Sequence, residues 1–189
     1  MDQIIFASKN ENKFQETRTF LIQYKIQLDL FHLDLPEIQS DFLEKIASNK
    51  ASFAYKIIKE KLIVEDTGLF IHALNNFPGP YSSFALRTIG NSGILDLLSS
   101  KHNRSAIFKS VIAFNDGKSI HLFSGAVEGT ISPHVTSKGW GFDPIFIPSG
   151  HKRTYGEIGQ DKIEISHRTM ALKEFIGWYK GFSTSQNRI

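Results

Sequence analysis

Gln3-Ile4-Ile5-Phe6-Ala7-Ser8-Lys9-Asn10-Glu11-Asn12-Lys13-Phe14 begins with a short apolar run, continues through a polar turn, and reaches the first residue of a helical stripe. The run at 3–7 has strand length, and Phe14, Phe20, Leu21 and Tyr24 then recur at helical spacing. A strand leading directly into a helix is the repeating unit of an α/β fold. The same alternation continues outward from it. Residues 28–35 alternate imperfectly up to Pro36, which reads as a second strand closed by a breaker. Asp41 with Glu44 resembles a capping box, and Phe42, Ile46, Phe53 and Ile57 mark one face of a long helix. Residues 62–64 read as a brief strand running into Glu65 and Asp66, followed by a Gly/Pro-rich loop at 75–80 and a helix at 91–100. The Asp116-Gly117 pair between strand-like runs at 106–114 and 119–127 signals a hairpin. Residues 139–147 read as a loop entering a strand, 148–165 as mostly irregular, and 169–180 as a helix facing Leu172, Phe175, Ile176 and Tyr179 inward. The expectation is one α/β domain over residues 1–182, with a mixed sheet flanked by helices and a frayed tail at 183–189.

The composition narrows the function classes. At 189 residues, 41% hydrophobic and 12% aromatic, the chain buries a real core and is not disordered. The 22 Lys and Arg against 19 Asp and Glu leave a net charge of +3 with no block of like charge, which argues against nucleic acid as the partner. With no cysteine, disulfide and thiolate chemistry are excluded, and a metal has only oxygen or His ligands, which favours a hard cation such as Mg²⁺. Asp2 stands where a signal peptide carries positive charge, and no apolar run reaches the roughly 18 residues of a membrane span. A soluble cytoplasmic protein is expected, with no membrane partner.

Four segments carry candidate chemistry. Ser8, Asn10 and Lys13 lie at a helix N-terminus, where free amides favour anions and these side chains suit phosphate; the same residues also read as a simple helix cap. Glu65-Asp66-Thr67-Gly68 brings two carboxylates to a strand end, where ligands bind in open α/β sheets, with a turn as the alternative reading. Adjacent strand residues face opposite ways, so Glu65 and Asp66 do not easily share one role. Glu37 is a further strand-end carboxylate, or else solvated surface. In Gly139-Trp140-Gly141-Phe142-Asp143-Pro144, two glycines bracket a ring that can stack on a purine or can belong to the core. Lys162 with Ser166-His167-Arg168 places cations at another helix start, against the helix dipole, which points to a compensating ligand or to an Arg168 pair with Glu164 or Glu174. Together these are the parts of a nucleotide-hydrolysing enzyme.

The segments Ser8-Lys9-Asn10-Glu11-Asn12-Lys13, Leu35-Pro36-Glu37-Ile38-Gln39, Glu65-Asp66-Thr67-Gly68-Leu69, Phe77-Pro78-Gly79-Pro80-Tyr81-Ser82, Gly141-Phe142-Asp143-Pro144-Ile145-Phe146 and Lys162 with Ser166-His167-Arg168 occur in an order that resembles the inosine triphosphate pyrophosphatase family. The resemblance implies an elongated mixed sheet flanked by helices, with two lobes and a nucleotide cleft between them, usually in a homodimer. It implies Mg²⁺-dependent hydrolysis of ITP, dITP and XTP to the monophosphate and pyrophosphate. By position, Ser8, Asn10, Lys13 and Lys50 would hold the triphosphate, and Thr67 would touch the substrate. Glu37 and Asp66 would serve the metal, with Asp66 also the general base and Lys13 a catalytic cation. Trp140 would stack on the purine, Asp143, Lys162, His167 and Arg168 would read the base edge, and Gly141, Phe142 and Ser166 would also bind the substrate. Trp140 replaces the family's more usual Phe, and Phe142 stands where Tyr or Trp is frequent. Two other readings compete: a Maf-like pyrophosphatase acting on pyrimidine or modified nucleotides, and a non-catalytic module binding nucleotide or RNA.

Overall fold

The computed structural model describes residues 2–136 and 138–186. In chain order it contains β1 (Asp2–Ala7), α1 (Glu11–Leu21), β2 (Ile26–Phe31), α2 (Leu43–Ile58), β3 (Leu62–Ile71), β4 (Pro78–Gly79), α3 (Ser82–Thr88), α4 (Gly90–Leu97), β5 (Ser105–Asn115), β6 (Ile120–Ile131), β7 (Phe146–Pro148), α5 (Tyr155–Ile158), α6 (Lys162–Ile165) and α7 (His167–Gln186). The strands form one seven-stranded sheet in the order β2-β1-β3-β5-β6-β7, with β4 paired to β3. β1 runs parallel to both β2 and β3, while β3 with β4 and β6 with β7 are antiparallel. The expected mixed α/β sheet is therefore present.

The order of the first three strands sets the site. From β1 the chain moves to β2 on one side and returns to β3 on the other, and such a reversal opens a ligand position beyond the strands' carboxyl ends. Phe6 is in register with Ile63. The turn that follows Ala7 therefore reaches the level of Glu65 and Asp66 on β3.

Several elements differ from the sequence expectations. β3 does not stop at 64 but continues as strand through Glu65-Asp66-Thr67-Gly68 to Ile71, so these residues are not a turn. Gly68 is required by proximity instead: a Cβ there would lie 2.7 Å from the Gly79 carbonyl oxygen on β4. The α2 face is rotated from the one expected. Leu43, Ile46, Ala47, Lys50, Ala51 and Ala54 are buried, whereas Phe42 and Ile57 are 57% and 49% exposed. The Asp41/Glu44 capping box does not form: α2 starts after Phe42 without a side-chain cap, and Ser40 Oγ accepts from the Phe42 amide. A capping box occurs instead at Thr154 and Glu157, opening α5, within a region expected to be irregular that also contains α6. β2 ends at Phe31 rather than Leu35, and α3 precedes the expected helix at 91. The last helix continues past Ser183 to Gln186; the rest of the expected tail, 187–189, lies outside the described residues. The 106–127 hairpin forms as β5 and β6.

The chain divides into two compact units, with divisions at Asp66/Thr67 in β3, Lys109/Ser110 in β5, Gly125/Ala126 in β6, and His167/Arg168 at the start of α7. In the unit holding β1, α1, β2 and α2, the buried set includes Ile4, Phe6, Phe14, Phe20, Leu28, Ile46 and Val64, with Phe114 packed edge-on to Tyr179 of α7. In the second unit Leu69, Ile94, Phe108, Phe142, Phe146 and Tyr155 belong to one buried cluster. The close approach of Gly68 and Gly79 lies in this second unit. Gly68→Ala is expected to destabilise the protein by about 1 to 3 kcal/mol, because backbone rather than a flexible side chain must yield; urea unfolding checks this, and an unchanged midpoint would contradict the crowding.

Candidate active site

In the first unit, the turn between β1 and α1 is held by its own side chains. Ser8 Oγ accepts from the Asn10 amide at 3.0 Å, and Asn10 Oδ1 accepts from the Lys13 amide at 3.1 Å. Asn10 is thus the α1 N-cap, so the capping role is real, and the helix end it organises is the kind that favours anions. Lys13 Nζ lies 3.6 Å from Glu65 Oε2 and 3.5 Å from the Glu65 carbonyl oxygen.

Along β3 the two carboxylates diverge to different partners. Glu65 accepts from Ser110 Oγ of β5 at 2.7 Å and from Arg168 Nε of α7 at 3.0 Å. Arg168 also pairs with Glu16 of α1 through Nη1. Asp66 Oδ1 is 2.8 Å from Lys50 Nζ, which reaches Glu37 Oε1 at 2.6 Å. Lys50 lies on the buried face of α2, and this explains why that face is not the all-apolar stripe expected. Asp66 Oδ2 is buried with no hydrogen-bond partner among the described residues.

Burial and charge act on these groups in opposing directions. Burial alone would raise the Glu65 carboxyl, but Arg168 and Lys13 beside it, with hydrogen bonds from Arg168 and Ser110, hold it far below the usual carboxylate range. Burial raises the Asp66 carboxyl, and Lys50 and Lys13 do not fully offset it. Burial lowers the Lys13 ammonium despite Glu65 and Asp66. Lys50 is raised: burial opposes its charge, but Asp66 and Glu37 outweigh it. Glu65 is therefore an anchored anion, and Asp66 a carboxylate with greater proton affinity and one oxygen unengaged among the described residues, as a general base requires.

Glu37 and Asp66 suit a hard divalent cation. They already share one cation, the Lys50 ammonium, and Asp66 Oδ2 is a buried oxygen without a partner among the described residues. The described residues hold no group of three His, Cys, Asp or Glu that could cage a metal. Two carboxylates, with water and phosphate completing the shell, is the pattern of Mg²⁺ at phosphate sites.

The second unit holds most of the residues expected at the base. Lys162 Nζ donates to Asp143 Oδ2 at 2.7 Å and sits 5.0 Å from the Trp140 ring centroid and 5.5 Å from that of Tyr155. A cation over a ring face also steadies the ring. Asn91 Nδ2 donates to the Gly141 carbonyl at 3.0 Å, and Gly141 adopts φ +61°, the left-handed region that favours glycine. Trp140 is half-buried, whereas Phe142 belongs to the buried cluster; of the two aromatics, Phe142 is the core residue. His167 is buried with its ring stacked on Phe108 at 3.9 Å. Ser166 is buried at the end of α6, and Thr67 is half-buried on β3.

Arg168 departs furthest from expectation. It is 1% exposed and paired with Glu65 and Glu16 in the first unit, not on the surface with Glu164 or Glu174. Sequence reasoning missed Glu16 and Ser110, and left Glu65 without a task. The available signal was Glu16 three residues after Lys13, on the same side of α1. Removing one partner of a buried pair leaves the other charge uncompensated, so Arg168→Ala is expected to cost about 3 to 5 kcal/mol in urea unfolding. A depressed carboxyl stabilises the fold fully above its unfolded value of about 4.3 and loses that contribution as pH falls toward the folded value. Acid titration should therefore lower wild-type stability below about pH 4, and Glu65→Gln should flatten that limb; identical slopes would exclude Glu65 as its source.

Comparisons with known proteins place the chain in a family. The dITP/XTP pyrophosphatase of Methanopyrus kandleri is 44% identical over 182 residues, covering 94% of this chain and 96% of the relative. That of Korarchaeum cryptofilum is 46% identical over 176 residues, covering 92% and 95%. The solved structure of a HAM1 protein from Coxiella burnetii superposes with a TM-score of 0.82 at 29% identity, covering 96% of this chain and all of that one. Residues 4–178 match the Ham1 family as a whole, and the chain belongs to that family.

Proposed function

We propose that this protein hydrolyses the non-standard purine nucleotides dITP, XTP and ITP to the monophosphate and pyrophosphate, with Mg²⁺ bound at Glu37 and Asp66. The observation that carries the reading is Asp66: a buried carboxylate with raised proton affinity and an Oδ2 that has no hydrogen-bond partner among the described residues, on the strand beside a cationic turn. In this reading the α1 N-terminus, with Ser8, Asn10 and Lys13, holds the phosphates, and Lys50 adds positive charge. Asp66 takes the proton of the water that attacks the α-phosphorus, and pyrophosphate leaves with its charge met by Lys13. Bound Mg²⁺ supplies further charge neutralisation at the phosphate oxygens.

Base recognition falls to Trp140, Asp143 and Lys162. Hypoxanthine and xanthine present a 6-keto acceptor where adenine presents a 6-amino donor. A Lys162 donor satisfies the first and faces a donor in the second, and each buried mismatch costs about 1 to 3 kcal/mol. The same reading makes the protein a cytoplasmic homodimer. Among the described residues no helix is long and apolar enough to cross a membrane, and Tyr81 and Phe84, 42% and 58% exposed, are apolar surface of the kind a second copy covers.

The wild-type protein with Mg²⁺ should release pyrophosphate from dITP, XTP and ITP far faster than from ATP; orthophosphate as first product, or equal turnover of ATP and ITP, would refute the activity. Asp66→Asn should lower kcat by about 10² to 10⁴ with nucleotide binding still measurable by titration calorimetry. Lys162→Met should reduce the ITP-to-ATP ratio of kcat/KM about tenfold or more, leaving ATP turnover nearly unchanged.

A further inference from the structure

On the reading of the protein as a nucleoside triphosphate pyrophosphatase, we propose that Glu65 is a positioning residue for the triphosphate, acting through the Lys13 ammonium. Both Glu65 oxygens are fixed from outside the phosphate turn, Oε1 by the Ser110 hydroxyl on β5 and Oε2 by Arg168 Nε on α7. Its side chain is 1% exposed. The orientation of the carboxylate is therefore set by two other elements, and Lys13 is the partner that belongs to the phosphate turn.

The spacing of that pair matters. Lys13 Nζ lies 3.6 Å from Glu65 Oε2, beyond a normal N–H···O distance, and its 3.5 Å approach to the Glu65 carbonyl is also long. Glu65 thus restrains the ammonium by charge without drawing its protons into short hydrogen bonds, and an ammonium has three to direct elsewhere. Burial works against the Lys13 charge, and Glu65 is the strongest opposing influence. Without that anion a buried lysine shifts toward its neutral form, which binds phosphate poorly. Glu16, one turn along α1 from Lys13, closes the arrangement by holding the far side of Arg168.

A residue that only anchored Arg168 would affect stability and every function alike, whereas one acting through Lys13 has no effect once Lys13 is gone. The experiment is a double-mutant cycle with wild type, Glu65→Gln, Lys13→Met and the double variant. It reads the Kd of the α,β-methylene analogue of dITP by calorimetry, and kcat and KM for dITP and ATP. Glu65→Gln is expected to raise Kd about tenfold or more while leaving the dITP-to-ATP preference within about twofold, since phosphates are common to both. In the Lys13→Met background the same change is expected to alter Kd by less than about twofold. Losses that multiply across the cycle, or a Glu65→Gln protein that binds like wild type, would overturn the proposal. Should Glu65→Gln not fold, Ser110→Ala frees Oε1 while keeping the charge; it should weaken binding in the wild-type background but not with Lys13→Met, and equal effects in both would overturn it. Wild-type protein that turns over neither dITP nor XTP would instead refute the underlying activity.

Discussion

Two adjacent carboxylates on one interior strand form the constraint around which the first unit is arranged. Glu65 and Asp66 follow each other on β3, so the strand's alternation sends them to different surroundings, and both are buried. An unpaired buried charge is too costly to tolerate, so each needs its own cation and hydrogen bonds. Glu65 takes Arg168, Ser110 and Lys13; Asp66 takes Lys50. That demand explains a lysine on the buried face of α2 and an arginine in the first turn of α7, both poor choices by local rules.

The two carboxylates then differ in chemistry because their partners differ. Glu65 is saturated by donors and stays ionised, which makes it a fixed negative point. Asp66 is less fully compensated, retains proton affinity and keeps one oxygen without a partner among the described residues. Neighbouring identical functional groups are thereby separated into an anchor and a candidate base by packing alone, the general route by which paired carboxylates acquire distinct roles.

Much of this was legible in the sequence. The β1 run, the α1 stripe and the Asp-Gly hairpin are local signals and each formed, with Tyr24 alone of the expected stripe falling past the end of α1. Ser8, Asn10, Lys13, Asp66, Asp143 and Lys162 are candidates from residue type and motif order alone, and the structure brings Lys13 beside Glu65 and Lys162 onto Asp143. What failed did so for identifiable reasons. Asp-Thr-Gly reads as a turn because its glycine is a local breaker, but the glycine answers to the Gly79 carbonyl on a neighbouring strand. The apolar stripe on α2 misleads because Phe42 and Ile57 are more apolar than the alanines that are buried. The Asp41 and Glu44 pattern met a chain that enters α2 at Phe42, whereas Thr154 and Glu157, in a stretch without hydrophobic periodicity, formed the real capping box.

By itself, the sequence determined the first strand and helix, the hairpin at 106–127, the last helix, the mixed α/β class, the absence of thiol chemistry and the family, because these depend on local periodicity, composition and motif order. Tertiary structure alone decided which cation meets which carboxylate. Glu65 and Arg168 are 103 residues apart in the chain, and no local pattern encodes their meeting; the strand order and the burial of both ends do. The same long-range pairing buries Arg168 against Glu65 and Glu16 rather than leaving it on the surface with Glu164 or Glu174, since a buried guanidinium is held where its counter-charges lie.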